Sequence, residues 1–153
     1  NLAKKFGNSL LCNFKLNDWE IITIDSVQNE KVSGHLSNQK LQVLVDEIKL
    51  SKAKHIVLCL HHPVVPMQSS WNDDLSLENT EEFFSVISQF PRVKAIIWGH
   101  AHQSSEFKFG NIKLFSCPST AVQFCGPLSI GYNHYTLHAN GEIKCKTRWL
   151  DYC

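Results

Sequence analysis

The stretch "VKAIIWGHAH", Val93–His102, decides how this chain is read. Its first six residues form a short apolar run of the kind a strand buried on both faces of a sheet presents. Gly99 then lets the backbone turn sharply or approach something closely. Two histidines follow, one on each side of an alanine. A second stretch has the same grammar: "HIVLCL", residues 55–60, runs directly into His61-His62-Pro63. In an open α/β sheet, ligands bind beyond the carboxyl ends of the strands, so histidines placed there converge on one crevice. Neutral imidazole is a common ligand for transition metals. In an extended H-x-H both side chains share one face, whereas in a turn they can point to two neighbouring ions. On the residues alone, metal ligation and hydrogen-bonded loop histidines both stand. His35, His55, His134 and His138 lack this setting and read as structural or surface residues.

Outward from these strands, "LLCNFKLNDWEIITID" reads as two strands about an Asn17-Asp18 turn. "SNQKLQVLVDEIKLSK" reads as a helix, with Ser37 as N-cap and Leu41, Leu44, Val45 and Ile48 on one face. A polar loop bearing Pro63 and Pro66 follows His61. Ser76 is expected to cap a second helix, which carries Phe83, Phe84 and Ile87 inward and ends by Pro91. Two hairpins are expected after the second buried strand. "FKFGNIKLF" centres on Gly110-Asn111 and "YTLHANGEIKCK" on Asn140-Gly141, with a type I′ turn wanting positive φ at both of its central positions. The order hairpin, helix, strand, helix, strand, β-meander specifies an α/β layered domain, a β-sandwich flanked by helices.

Composition narrows the function classes. The chain has 153 residues, 19% of them charged, and a formal net charge of +1. That is the size of one domain with a buried core. No Lys/Arg cluster marks a nucleic-acid footprint, and no apolar run is long enough to span a bilayer. "NLAKKFGNSLLCNF" is basic, but its apolar part is too short and interrupted for a signal peptide. Six irregularly spaced cysteines without a CxxC fit free thiols in a cytoplasmic chain better than a disulfide framework, and Cys59 lies inside an apolar run.

"LHHPVVPMQSSW", "VKAIIWGHAHQ" and "CPSTAVQF", in that order, resemble the bacterial class III cyclic-nucleotide phosphodiesterases, which belong to the calcineurin-like metallophosphoesterases. "WEIITIDS", "GHLSNQKLQVL" and "GYNHYTLHANGEIKCKTRWL" extend the resemblance over nearly the whole chain. The resemblance implies hydrolysis of 3′,5′-cyclic AMP to 5′-AMP at a two-metal centre. Within it, His61 and His100 share one metal and His102 binds the other. Of His61 and His62, only one is expected to be a ligand, the other supporting it or facing substrate. Ser119, Thr120 and Gln123 either bond phosphate or base, or cap turns of their own loop. Trp71 either stacks on a base or packs the loop onto the domain, and packing is the preferred reading.

The family's earlier Asp-x-His, Gly-Asp and Gly-Asn-His-Asp/Glu motifs are not found in residues 1–153. The chain is therefore expected to be a partial domain, the C-terminal portion of the fold, with no catalytic residue of its own. Two ions about 3.5–4 Å apart repel, and a bridging carboxylate normally offsets that. Three histidines can hold one zinc-like ion with an open position. At most one ion is expected in this chain and two (Mn, Fe or Zn) in the complete protein. Self-association, or pairing with the N-terminal half, is the expected consequence of uncovered strand edges. Two alternatives remain: a metallophosphoesterase acting on glycerophosphodiesters or 2′,3′-cyclic nucleotides, and a non-catalytic module that binds a metal or a partner.

Overall fold

A computed structural model describes residues 13–69, 73–123 and 129–150. Trp71, Cys12, Cys125 and Cys153 lie outside the described residues. The elements are β1 (Phe14–Leu16), β2 (Trp19–Thr23), α1 (Asn38–Leu50), β3 (His55–Leu60), α2 (Thr80–Ile87), β4 (Val93–Trp98), β5 (Ser105–Phe109), β6 (Ile112–Ser116), β7 (Ile130–Leu137) and β8 (Ile143–Leu150).

The strands divide into two sheets because the apolar residues of β3 and β4 face both ways. One sheet has six strands in the order β1-β2-β3-β4-β6-β5, and β7-β8 forms a two-stranded sheet of its own. Ile56, Leu58, Leu60, Ile96 and Trp98 share one core with Leu41, Leu44 and Ile48 of α1 and Phe83 and Ile87 of α2. On the other face, Val57, Ala95 and Phe115 pack against Ile143, with Tyr135 and Cys145 alongside. The layers are helices, six-stranded sheet and hairpin, which is the α/β sandwich expected. β2, β3, β4 and β6 run parallel, so their carboxyl ends open on one edge.

α1 begins as expected, with the Ser37 hydroxyl accepting from the Lys40 N–H at 3.3 Å. Its last carbonyls are closed by Arg92, whose guanidinium donates to Ile48, Ser51 and Ala53. A cation at a helix C-terminus is also favoured by the helix dipole.

Three local expectations are corrected. α2 starts after Asn79 rather than Ser76, and Asn79 makes no side-chain cap bond. Its amide instead grips the backbone of Leu36, accepting from N–H at 3.0 Å and donating to C=O at 2.7 Å. The C-terminal strands do not form a meander: β6 inserts beside β4 in parallel, displacing β5 to the edge. Neither turn is type I′. Gly110 has φ 55° and Gly141 φ 88°, but Asn111 and Asn140 are not among the left-handed residues. The first turn therefore has positive φ at one central position, where a type II′ turn takes glycine. The second spans residues 138–142 and is closed by His138 N–H to Glu142 at 2.9 Å.

No helix among the described residues is long and apolar enough to cross a membrane. Cys59, Cys117 and Cys145 are free thiols. Burial, reinforced by Cys117, pushes Cys59 up to about 12, so it stays protonated and inert.

Candidate metal centre

Each parallel strand delivers a short segment to the carboxyl edge: Ser26 after β2, His61-His62 after β3, Gly99–His102 after β4 and residues 117–123 after β6. The H-x-H segment is a turn, not a strand. The Ala101 N–H donates to the Gly99 carbonyl at 2.6 Å, closing a three-residue turn around His100. His100 has φ 58° and His102 φ 52°, a conformation that costs a non-glycine residue energy unless its surroundings enforce it. Ala101, between them, is fully buried in the core shared with Trp98. The buried alanine anchors the turn, and the two histidines flank it.

His61, His62 and His100 come together, with ring nitrogens within 4.8 Å of one another. They are not equivalent. His62 is 3% exposed and both its nitrogens are engaged, Nε2 with the Val32 carbonyl at 2.9 Å and Nδ1 with the Ser26 hydroxyl at 2.8 Å. A carbonyl only accepts, so a neutral His62 carries its proton on Nε2 and accepts at Nδ1 from Ser26. Gly34 lies against the ring, where a Cβ would come within 2.5 Å of Cγ and Nδ1. His62 therefore has no free lone pair for an ion in this arrangement.

His61 Nε2 and His100 Nδ1 lie 3.0 Å apart, with the rings nearly perpendicular at 84°. Two nitrogens bound at about 2.0–2.1 Å to one ion stand about 2.9 Å apart at a right angle and about 3.4 Å at a tetrahedral angle. The observed spacing fits that range. His100 Nε2 is buried without a hydrogen-bond partner, which leaves further capacity on the same ring. The donor set therefore fits a transition metal held by His61 and His100. No carboxylate joins this group among the described residues.

The electrostatics keep these rings neutral, the form that binds metal. Lost hydration lowers His61, and His102 adds to it. Lost hydration lowers His100 to about 4, with the neighbouring His61, His62 and His102 contributing. His62 is lowered by burial, against the opposing pull of the Val32 carbonyl. A sign follows for stability. The unfolded chain takes up these protons near pH 6.5 and the folded chain does so lower, so stability holds above about 6.5 and falls as pH drops toward 4. In metal-free protein, the urea midpoint is expected to fall between pH 7.5 and 5, and to fall less in His100→Asn. Equal pH slopes in the two proteins would contradict the assignment. Solvent screening keeps the effect modest because His61 is exposed and His100 only partly buried.

The remaining sequence candidates are less central. The Ser119 hydroxyl accepts from the N–H groups of Ala121 and Val122, both at 3.1 Å, and the Gln123 amide bonds the Ser119 backbone. Both side chains are thus engaged within their own loop, while Thr120 is exposed. Sequence reasoning missed Ser26, Val32 and Gly34, which fix His62. These contacts join segments 28–36 residues apart and leave no periodic signal.

No family model matches the chain. A "Probable cyclic nucleotide phosphodiesterase" of Ruthia magnifica subsp. Calyptogena magnifica is 47% identical over 150 residues, covering 98% of this chain and 64% of that protein. The chain is thus similar, over nearly its whole length, to a protein named a cyclic nucleotide phosphodiesterase. The "3′,5′-cyclic adenosine monophosphate phosphodiesterase CpdA" of Vibrio vulnificus is 34% identical over 140 residues, covering 86% of this chain and 51% of that protein. The chain spans between half and two thirds of the length of these relatives. Among solved structures, a dimetal phosphatase from Danio rerio superposes with TM-score 0.69 at 17% identity, covering 90% of this chain and 57% of that one. GAP50, "the anchor in the inner membrane complex of Plasmodium", does so with TM-score 0.60 at 13% identity, covering 91% and 48%. At these identities the likeness concerns the fold alone, and the fold does not decide the chemistry.

Proposed function

We propose that the complete protein hydrolyses 3′,5′-cyclic AMP to 5′-AMP at a two-metal centre, and that this chain supplies the C-terminal part of that centre. The observation that carries the reading is the paired imidazoles of His61 and His100, 3.0 Å apart at adjacent strand ends, in a chain 47% identical to a relative named a cyclic nucleotide phosphodiesterase. His61 and His100 hold one ion, and His102, on the far side of the buried Ala101, belongs to the second. Bound metal (Mn, Fe or Zn) supplies Lewis acidity and lowers the pKa of water. The chain's own contribution is to present neutral imidazoles on a turn fixed by core burial, with His62 locked behind them. The bridging carboxylate and the remaining ligands lie outside this chain. A cytoplasmic setting is supported by the free thiols among the described residues.

Substrate choice is tested by comparing 3′,5′-cyclic AMP, 2′,3′-cyclic AMP and glycerophosphocholine as substrates of the complete protein. The highest kcat/KM is expected for 3′,5′-cyclic AMP, and a preference for either other class would replace this reading with the neighbouring one. Absence of any hydrolysis, with retained fold, would favour a non-catalytic module.

His62 has a separate test. As a supporting group, His62→Asn is expected to leave the number of bound ions unchanged and weaken their binding about 10–100-fold, the range for groups that orient ligands. Loss of a whole ion per chain would instead make His62 a ligand.

A further inference from the structure

The turn that carries the histidines leaves the site through Gln103 and Ser104, with Gln103 held by Ser116 at the end of β6 and Ser104 held from the opposite sheet by Thr147 of β8. The Thr147 hydroxyl donates to Asn133 Oδ1 at 2.9 Å. That spends its only proton, so the 2.5 Å contact between Ser104 and Thr147 has Ser104 as donor. The Asn133 amide nitrogen donates to the Ser116 carbonyl at 2.9 Å and to the Tyr135 hydroxyl at 3.0 Å. The Ser116 hydroxyl, fully buried, donates to the Gln103 carbonyl at 2.6 Å. The bonds close a ring: Ser104 to Thr147, Thr147 to Asn133, Asn133 to Ser116, Ser116 to Gln103, and Gln103 back to Ser104 through the chain. Asn133 and Thr147 are direct cross-strand partners in β7 and β8.

We propose that Asn133 and Thr147 are positioning residues for His102. His102 sits at φ 52°, immediately before the two clamped residues. A left-handed histidine persists only where its surroundings over-determine it. On its N-terminal side, that work is done by the buried Ala101 and the turn around His100. On its C-terminal side, the ring fixes both the carbonyl of Gln103 and the side chain of Ser104. The ring is cooperative at Thr147, whose hydroxyl accepts from Ser104 and donates to Asn133. Breaking one link therefore loosens the whole exit of the turn. The metal part of this inference rests on the two-ion reading above; the conformational part does not.

The test uses the complete protein with Thr147→Val, which keeps the shape and removes the hydroxyl, and Thr147→Ser, which restores it. In metal-free protein, Thr147→Val is expected to shift the backbone amide and imidazole NMR resonances of His102 more than those of His55, with Thr147→Ser close to wild type. In zinc titrations followed by calorimetry, Thr147→Val is expected to weaken one of the two binding events about 10–100-fold, with the other unchanged and Thr147→Ser again restoring it. Unmoved His102 resonances in Thr147→Val would overturn the proposal, as would failure of Thr147→Ser to restore them. Should the wild type bind no zinc while its His102 resonances respond as expected, the metal reading fails and the positioning role stands.

Discussion

Replacing His100 is expected to cut cyclic AMP hydrolysis by the complete protein more than about 100-fold, or about 2.7 kcal/mol of transition-state stabilisation. That threshold separates a ligand from a support, because groups that only orient ligands cost up to about that much. His100 is the ring whose Nδ1 stands 3.0 Å from His61 Nε2 while its own Nε2 lies buried without a partner. Removing it leaves His61 to hold an ion without its neighbour, so metal content should fall by one ion per chain. The choice of replacement matters because position 100 has φ 58°. Alanine there adds backbone strain to the loss of the imidazole, whereas asparagine tolerates the left-handed region. His100→Asn and His100→Ala should therefore lose activity alike, with His100→Asn the more stable. Full turnover with unchanged metal content in His100→Asn would show that His100 is not a ligand.

The parts of this molecule legible in the sequence are those set by short-range pattern. "HIVLCL" and "VKAIIW" announce strands covered on both faces, and both are buried on both sides. Ser37 announces a helix start and provides it. The histidines after each strand are delivered to one edge because neighbouring strands run parallel. The failures come where tertiary contacts compete with local signals. Asn79 spends its amide on Leu36, so its own helix has no side-chain cap and Ser76 does not mark the start. β6 chose the exposed flank of β4 over a meander position, which buries Leu114 fully and gives its carboxyl end to the site edge. His61 and His62 look interchangeable in "HHP", and only the long-range contacts from Ser26, Val32 and Gly34 tell them apart. Asn133 and Thr147 carried no signal, since a polar pair on a strand reads as a solvent face until the loop opposite is known.

The 153-residue chain by itself is expected to bind at most one ion and to show no turnover of cyclic AMP with added Mn²⁺. The reason is charge. A second divalent ion close to the first needs a carboxylate between them, and the carboxylates near this edge are committed. Asp25, just past the end of β2, accepts from the Val27 N–H at 3.0 Å and pairs with Lys40 at 3.2 Å. Glu78 is held by Lys31 and Ser33 and pulled down to about 2 by those contacts, the Lys31 hydrogen bond first. Imidazoles alone add no negative charge, and the three that cluster here are already tuned to remain neutral. Isothermal titration with Mn²⁺ and Zn²⁺ should thus give a stoichiometry no higher than one. The same preparation should sediment as a species heavier than one chain, because Phe14 and Leu16 on edge strand β1 and Trp149 on β8 are 58%, 53% and 45% exposed. Robust turnover by this chain, abolished by His100→Ala, would overturn the charge argument and place a complete catalytic centre within these residues. Two bound ions without turnover would overturn only the count.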